Sequence, residues 1–161
     1  MIRPATAADA QALCDIYNPY IEKTVITFEE VPLAAAAMAQ RVADIQAGHM
    51  WHVAEEGGRL LGYAYAGPWR PRAAYRYAVE TSVYLAEDAL GRGVGRALYE
   101  VLLDELPRKG FRCAMGGIAL PNDASVRLHE AMGFVKVAHF EDVGFKFGQW
   151  IPVGYWQRIF A

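Results

Sequence analysis

The stretch Gly91-Arg92-Gly93-Val94-Gly95-Arg96-Ala97 decides how this sequence folds, because it separates two segments of different periodicity. Residues 79–85 before it are a short run of β-branched and apolar side chains, which is typical of a strand. Three glycines let the chain turn sharply, and the start of a helix offers unpaired N–H groups and a partial positive charge. The stretch therefore predicts a strand–loop–helix unit whose loop binds phosphate or pyrophosphate.

The segment after the loop, residues 93–108, predicts an amphipathic helix. Its apolar face carries Val94, Ala97, Leu98, Val101 and Leu102, and its charged face carries Arg96, Glu100, Asp104 and Arg108. The charged side chains recur at four-residue spacing, which lets neighbouring charges support the helix.

The rest of the chain mixes helical and strand-like segments. Thr6 and Asp9 resemble a capping box that opens a helix, and Gly57-Gly58 suits a two-residue hairpin turn. The predicted elements are helices over residues 6–17 and 32–48, strands over 51–56, 59–66 and 79–85, a helix over 93–108, a strand over 112–118, a helix capped by Asn122 that ends at Gly133, and two strands within 135–160. This order predicts a mixed α/β (α+β) fold with a central sheet between helices, in a single domain over residues 1–161.

Composition narrows the classes of function. The 161 residues are 54% hydrophobic and carry a formal net charge of −2, so no broad basic surface for nucleic acid or anionic membranes is expected. Cys14 and Cys113 are too few for a disulfide framework and lie at no metal-ligand spacing. No apolar run approaches the roughly 20 residues that span a bilayer, and the N-terminus does not read as a signal peptide. We expect a cytoplasmic protein with no metal, nucleic-acid or membrane partner.

The loop excludes two common nucleotide sites. The dinucleotide pattern Gly-x-Gly-x-x-Gly fails because Arg96 stands at the last glycine, and no Gly-Lys-Ser/Thr of a triphosphate loop follows. The pattern Arg-x-x-Gly-x-Ala over residues 92–97 fits instead. It resembles the acyl-CoA loop of the GCN5-related N-acetyltransferase superfamily, and residues 122–134, which begin with Asn122 and end in Gly-Phe, are similar to a later segment of the same superfamily.

Within that superfamily the sequence looks most like the phosphinothricin (methionine sulfoximine) acetyltransferases. The similarity rests on residues 64–69, 79–84, 120–123 and 154–158 and covers nearly the whole chain. It implies a splayed, mixed, twisted sheet, acetyl-CoA as the donor and a homodimer. It also implies an acceptor that is a small amino acid with a phosphinate, sulfoximine or sulfone group.

The resemblance further implies which residues hold the cofactor. The strand before the loop is expected to contact pantetheine and the acetyl carbonyl, the loop to contact the diphosphate, and the later helix to contact the cofactor at its start. The implied cofactor residues are Val83, Tyr84, Leu85, Gly91, Arg92, Gly93, Val94, Gly95, Arg96, Asn122 and Ser125.

Glu80 is the candidate general base. It interrupts an apolar strand, where a carboxylate is costly unless it is paired or functional, and burial would raise its proton affinity into a useful range. The alternative is an exposed or arginine-paired glutamate. The family resemblance favours the catalytic role, since it puts the catalytic carboxylate at this position.

His129 and a basic loop are the remaining site candidates. His129 stands where many superfamily members have a tyrosine that protonates the leaving thiolate, although a packed structural histidine fits as well. Arginine forks match carboxylate and phosphinate oxygens, while a solvated basic loop is the plain alternative. The candidate substrate residues are Phe28, Arg70, Arg72, Tyr75, Arg76, Glu80 and Thr81. Acetylation of another small amine, or acyl-CoA binding without turnover, remains open.

Overall fold

The computed structural model describes all residues 1–161, and seven of its segments are β-strands. The strands are β1 (Ile2–Pro4), β2 (Met50–Glu56), β3 (Arg59–Pro68), β4 (Ala78–Leu85), β5 (Cys113–Ala119), β6 (Val135–Lys146) and β7 (Gln149–Ile159). The helices are α1 (Ala10–Lys23), α2 (Ala35–Gln46), α3 (Val94–Arg108) and α4 (Asp123–Ala131), with short 3-10 turns at Ala7–Asp9, Ala73–Tyr75 and Glu87–Ala89. The strands form one sheet in the order β1-β2-β3-β4-β5-β7-β6. The predicted mixed α/β class is confirmed.

The two N-terminal helices differ from their predicted bounds. The capping box is present, with the Thr6 N–H donating to Asp9 at 2.8 Å, but it caps the 3-10 turn that leads into α1. Helix α1 runs on to Lys23 because its apolar face continues through buried Ile21. Helix α2 starts later than predicted, since Asn18 bonds the N–H and the C=O of Leu33, each at 2.9 Å, and holds this stretch outside the helix.

The β2–β3 hairpin forms as predicted. Gly57 and Gly58 have φ angles of 59° and 77°, and a two-residue turn with positive φ at both positions matches the twist of the flanking strands. Strand β3 then pairs antiparallel with β4 along its length, from the pair Gly62–Leu85 to the pair Pro68–Val79. Half of the sheet is therefore a continuous antiparallel meander.

The sheet opens in its middle, between β4 and β5. These two strands are parallel and share only the pairs Ala78–Cys113, Val79–Ala114 and Glu80–Met115. Beyond them β5 stays paired with β7, and β4 stays paired with β3. The main chain of β4 after Glu80 therefore has a free side that faces the gap.

The helices cover both faces of the sheet. Helix α3 lies on one face, where Leu98, Leu102 and Leu106 are fully buried in the larger apolar cluster, and the partly buried Leu128 of α4 packs against that cluster. Helices α1 and α2 cover the other face through the second cluster, which includes Leu13 and Val42. None of the four α-helices is both long and apolar enough to cross a membrane.

The C-terminal hairpin is irregular and carries an exposed apolar surface. Strand β6 is the edge strand, and its register with β7 shifts between Phe140 and Gly144, where Asp142 has a φ angle of 50°. Exposed apolar side chains on this hairpin are Val135, Val137, Phe140, Val143, Phe145, Phe147 and Trp150. We call this set the hairpin apolar face.

Candidate active site

The glycine loop ends at the first turn of α3 and leaves main-chain donors free. Gly91 and Gly93 have φ angles of 74° and 80°, which L side chains rarely adopt. The Ala97 N–H makes the first helical bond, to the Gly93 carbonyl at 3.0 Å, so the three preceding amides have no partner within the helix. A Cβ at either glycine would meet nothing within 4 Å, so the loop faces open space. This arrangement suits an anion.

The arginine side chains of the loop are held by carboxylates. A guanidinium nitrogen of Arg92 lies 2.9 Å from Glu56, and Arg96 Nε lies 2.9 Å from Glu100. Gly95 is buried, and a Cβ there would come within 3.5 Å of Leu85 and Leu128. Both ion pairs are solvent-exposed and therefore weak, so the arginine charges add to the partial positive charge of the peptide groups in the loop.

The free side of β4 exposes alternate peptide groups to the gap. The Ala86 N–H donates to the Leu61 carbonyl at 2.8 Å, which continues the β3 ladder in register. Because antiparallel ladders bond alternate residues, Val83 and Leu85 turn their peptide groups away from β3 and towards the gap. Tyr20, which no local sequence pattern marks, donates from its phenol to the Leu85 carbonyl at 2.6 Å.

Tyr84, a predicted cofactor residue, pairs with β3 and packs against α1. Its main chain pairs with Tyr63 of β3, and its ring packs against Tyr17 and Tyr20 with centroid distances of 4.8 Å and 5.3 Å. The strand alternation that turns its two neighbours to the gap turns the main chain of Tyr84 away from it. The sequence alone does not distinguish Tyr84 from Val83 and Leu85. The difference comes from the alternating direction of the peptide groups along β4, which the register with β3 determines.

Helix α4 closes the other side of the gap with buried polar groups. The Asn122 side chain accepts from the Ser125 N–H at 3.2 Å and caps the helix, as predicted. His129 is buried; its Nδ1 lies 2.7 Å from the Ser125 carbonyl and its Nε2 lies 3.1 Å from the Tyr99 phenol. Burial lowers the pKa of His129, although the Ser125 carbonyl opposes the shift. A cavity of about 50 Å³ between β4 and β5 is lined by Asn122, Ser125, His129, Tyr99 and Thr81 among others.

Neutral His129 has no free N–H to offer. A carbonyl oxygen accepts only, so Nδ1 carries the proton and Nε2 accepts from Tyr99. The predicted role of general acid would need a second proton on a buried ring, which burial disfavours. Tyr99 itself was missed, because at helical spacing a buried tyrosine reads as ordinary core.

A second cavity, of about 440 Å³, lies on the α1–α2 face of the sheet. Its lining residues are Ile26, Phe28, Arg70, Glu80, Gly117, Ala119, Phe140, Val143, Val153 and Tyr155. Glu80 and Arg70 are its two charged residues in an otherwise largely apolar wall. Burial raises the pKa of Glu80, while the charge of Arg70 acts in the opposite direction. A carboxylate with a raised pKa in a cavity can accept a proton near neutral pH.

The two cavities meet through the gap. Both are lined by Ile26, Gly117 and Ala119, and adjacent residues of β4 point to opposite faces. Glu80 faces the larger cavity, whereas Thr81 is buried on the other side, where its hydroxyl lies 3.2 Å from the Tyr99 phenol. Thr81, a predicted substrate residue, therefore lines the narrow cavity, on the opposite side of β4 from Glu80.

Three predicted substrate residues lie outside the larger cavity. Arg72, Tyr75 and Arg76 are exposed, because a 3-10 turn at Ala73–Tyr75 directs this loop outwards. Arg76 donates to the Ala73 carbonyl at 2.9 Å and stacks on Tyr77. The cavity walls from β6 and β7 were missed, since in sequence their aromatic and branched side chains do not differ from core.

The chain offers no cluster of three or more His, Cys, Asp or Glu side chains placed to hold a metal ion.

Comparison with known proteins agrees with this geometry. A family model of the acetyltransferase (GNAT) domain matches residues 2–153. A phosphinothricin N-acetyltransferase of Streptomyces viridochromogenes is 43% identical over 159 residues, covering 99% of this chain and 87% of that protein. An L-methionine sulfoximine/L-methionine sulfone acetyltransferase of Salmonella typhimurium is 37% identical, covering 97% and 92%.

A solved structure extends the comparison to the fold. A GNAT superfamily phosphinothricin acetyltransferase of Sinorhizobium meliloti, determined in complex with acetyl-CoA, superimposes with a TM-score of 0.96 at 37% identity. The match covers 100% of this chain and 88% of that one. The chain therefore belongs to the acetyltransferase (GNAT) domain family and is an acyltransferase similar to the phosphinothricin and methionine sulfoximine acetyltransferases.

Proposed function

We propose that this chain transfers the acetyl group of acetyl-CoA to the α-amine of a small anionic amino acid of the phosphinothricin, methionine sulfoximine or methionine sulfone type. Attack is direct, within a ternary complex. The observation that carries the proposal is the gap between β4 and β5, which joins the side of the glycine loop to the cavity that contains Glu80. Relatives named for these acceptors support the substrate class.

The donor side fits a coenzyme A molecule. The amides of Val94, Gly95 and Arg96, which have no partner within the helix, would hold the diphosphate, because they lie at the start of α3 next to the open surroundings of Gly91 and Gly93. The peptide groups of Val83 and Leu85 would hold the pantetheine arm along the free side of β4. The bound donor supplies the activated acyl group.

The start of α4 and the remaining loop residues complete the proposed donor site. Asn122 and Ser125 line the narrow cavity, so they would border the donor from the side opposite β4. Gly91 and Gly93 supply the backbone turn, and Arg92 contributes charge next to Glu56.

Glu80 is the proposed base. It accepts a proton from the acceptor ammonium, directly or through water, and its raised pKa brings this transfer towards neutral pH. No covalent acyl-enzyme is needed, since holding donor and acceptor on the two sides of one gap supplies proximity. His129 is proposed to anchor α4 against Tyr99, because its only N–H in the neutral form is held by Ser125.

The acceptor carboxylate is proposed to bind Arg70. The Arg70 guanidinium lies 3.9 Å from the ring centroid of Trp69, and this stacking pre-orients it at the cavity. Phe28 and Tyr155 provide apolar walls for the acceptor side chain. Arg72, Tyr75 and Arg76 have no part in this cavity.

The test is steady-state thiol release from acetyl-CoA with phosphinothricin, methionine sulfoximine, methionine sulfone and ordinary amino acids. Glu80→Gln should lower the rate by about 10²–10⁴-fold, the usual contribution of a positioned base. Glu87→Gln, an exposed carboxylate just beyond β4, serves as the control and should leave the rate unchanged.

Three other outcomes would contradict parts of this proposal. An unchanged rate in Glu80→Gln removes Glu80 from the mechanism. Turnover only with unrelated amines changes the acceptor class. Tight coenzyme A binding without acetylation of any amine in the panel makes the chain an acyl-CoA-binding module.

A homodimer in the cytoplasm is part of the proposal. The hairpin apolar face exposes several large side chains, including Trp150 at 63%, and apolar surfaces on soluble proteins mark contacts with other chains. The cytoplasm is in line with two unpaired thiols, Cys14 and Cys113.

A further inference from the structure

Lys146 is a buried cation at the end of β6. Its residue surface is 2% exposed, and its Nζ donates to the carbonyl of Thr27 at 2.8 Å. Lysine is almost never fully buried unless its ammonium has a partner, because desolvation of the charge is costly. Burial lowers the pKa of Lys146, and the charges of Glu30 and Glu29 act in the opposite direction. The bond from the buried ammonium fixes the position of Thr27 relative to β6.

The carbonyl that Lys146 holds belongs to the wall of the larger cavity. Thr27 lies in the segment 24–34 between α1 and α2, and its neighbours Ile26 and Phe28 both line that cavity. The segment is tethered to α1 by the hydrogen bond between the hydroxyls of Tyr17 and Thr27, at 2.7 Å. Lys146 adds a tether from the opposite side, the C-terminal hairpin.

Strand β6 touches the same segment a second time. A Cβ at Gly144 would lie 2.4 Å from ring carbons of Phe28, so the absence of a side chain there lets Phe28 pack directly on β6. Strand β6 also contributes Phe140 and Val143 to the cavity. Two walls of one cavity therefore meet at Gly144 and Lys146.

We propose that Lys146 is a positioning residue of the acceptor cavity: its bond to the Thr27 carbonyl holds Ile26 and Phe28 against β6 and thereby sets the width of the cavity. The inference rests on the proposed function in one respect, namely that this cavity receives the acceptor amine.

Lys146→Met removes the ammonium and keeps the length of the side chain. We expect the KM for the acceptor to rise about tenfold or more, since a hydrogen bond to a charged group is lost, while the KM for acetyl-CoA stays within about twofold. Lys136→Met, an exposed lysine on the same strand, is the matched control and should change neither. A merely structural role would lower the folded fraction and kcat without a selective change in the acceptor KM.

Gly144→Ala tests the same wall through packing instead of charge. Its Cβ would displace Phe28, so we expect the same selective rise in the acceptor KM. This variant keeps the inference testable if Lys146→Met folds poorly. An acceptor KM at the wild-type value in the folded variants, or an equal rise for both substrates, overturns the proposal.

Hydrogen exchange separates this inference from the proposed function. The amides of residues 24–34 should exchange faster in Lys146→Met than in wild type, while those of the β2–β3 hairpin should not change. If the wild-type chain acetylates no acceptor, the proposed function fails, and the exchange result still decides the anchoring role. Unchanged exchange in residues 24–34 contradicts it.

Discussion

The phenol oxygen of Tyr99 lies 3.1 Å from Nε2 of His129 and ties α3 to α4 across the floor of the gap. The same oxygen lies 3.2 Å from the Thr81 hydroxyl, so a residue of β4 joins the network. All three side chains are buried. Sheet and helices on the donor side are therefore connected by polar contacts as well as by apolar packing.

Tyr99→Phe should destabilise the protein by about 1–3 kcal/mol, because it leaves a buried nitrogen of His129 without a donor. Denaturant unfolding measures this change. Tyr77→Phe, at an exposed tyrosine, is the control and should be neutral. Equal stability of Tyr99→Phe and wild type would show that His129 finds another partner.

The stability of the protein should fall on acidification in a way that depends on His129. Its pKa is lowered in the folded chain, so folding favours the neutral ring. Above the unfolded pKa both states are neutral and nothing changes; as pH falls below it, the unfolded state gains a proton that the folded state resists, and stability is lost. His129→Gln should show a smaller loss between neutral pH and pH 5 in urea unfolding. Parallel curves would contradict this prediction.

The same substitution tests the catalytic role of His129. A general acid must be protonated, so kcat falls as pH rises through the pKa of that acid. If His129 only anchors α4, this fall in kcat at high pH should also be present in His129→Gln. Disappearance of this fall would restore the general acid.

The pH dependence of kcat/KM should report Glu80. A base must be unprotonated, so the rate falls as pH drops through its pKa, which burial raises above the ordinary carboxylate value. Arg70 opposes this shift, so Arg70→Gln should move the acid limb to higher pH, and Glu80→Gln should abolish it. An acid limb that does not move in Arg70→Gln argues against this assignment.

Gly93→Ala should weaken coenzyme A binding beyond its effect on stability. The φ angle of 80° strains any L side chain by about 1–2 kcal/mol, although a Cβ there meets no atom. Gly110→Ala is a matched control, since Gly110 has a φ angle of 90° and equally open surroundings at the far end of α3. Calorimetry should find weaker binding in the first variant alone; equal affinities would remove the loop from the donor site.

Trp150→Arg should convert the proposed dimer into a monomer in sedimentation velocity runs. A charge at Trp150, a strongly exposed member of the hairpin apolar face, would be desolvated on association. Tyr77→Arg changes an exposed aromatic residue elsewhere and should leave the mass unchanged. A monomeric wild type would refute the dimer.

The fold was predictable where local chemistry specifies it. Gly57-Gly58 dictates its turn by φ alone, and Asn122 caps α4 through its own side chain. The late start of α2 was not predictable, because it depends on a bond from Asn18 to Leu33 across 15 residues. Where a residue far along the chain determines the start of a helix, the sequence near that start carries no pattern that marks it.

The residues of the candidate site also fall into two groups: those that a local sequence pattern marks, and those whose role depends on distant contacts. The glycine loop and Glu80 stand out, the first by composition and the second as a charge in an apolar strand. Arg72 and Arg76 are predicted from their charge, their guanidinium geometry and their place in the loop before β4, none of which specifies the direction of a side chain, and both are exposed beside the 3-10 turn. Tyr99, Tyr20 and Lys146 were missed because their importance lies in contacts with residues far along the chain.

The separation of β4 from β5 after three residue pairs also affects how stable the protein is when no ligand is bound. Beyond the pair Glu80–Met115, β4 and β5 share no ladder, so few main-chain bonds join the two halves of the sheet at this seam. The coenzyme of the proposed function would bridge this seam and, by binding the folded chain alone, would stabilise it by RT ln(1 + [L]/Kd). Resistance to heat and proteolysis should therefore rise with the concentration of the acyl donor.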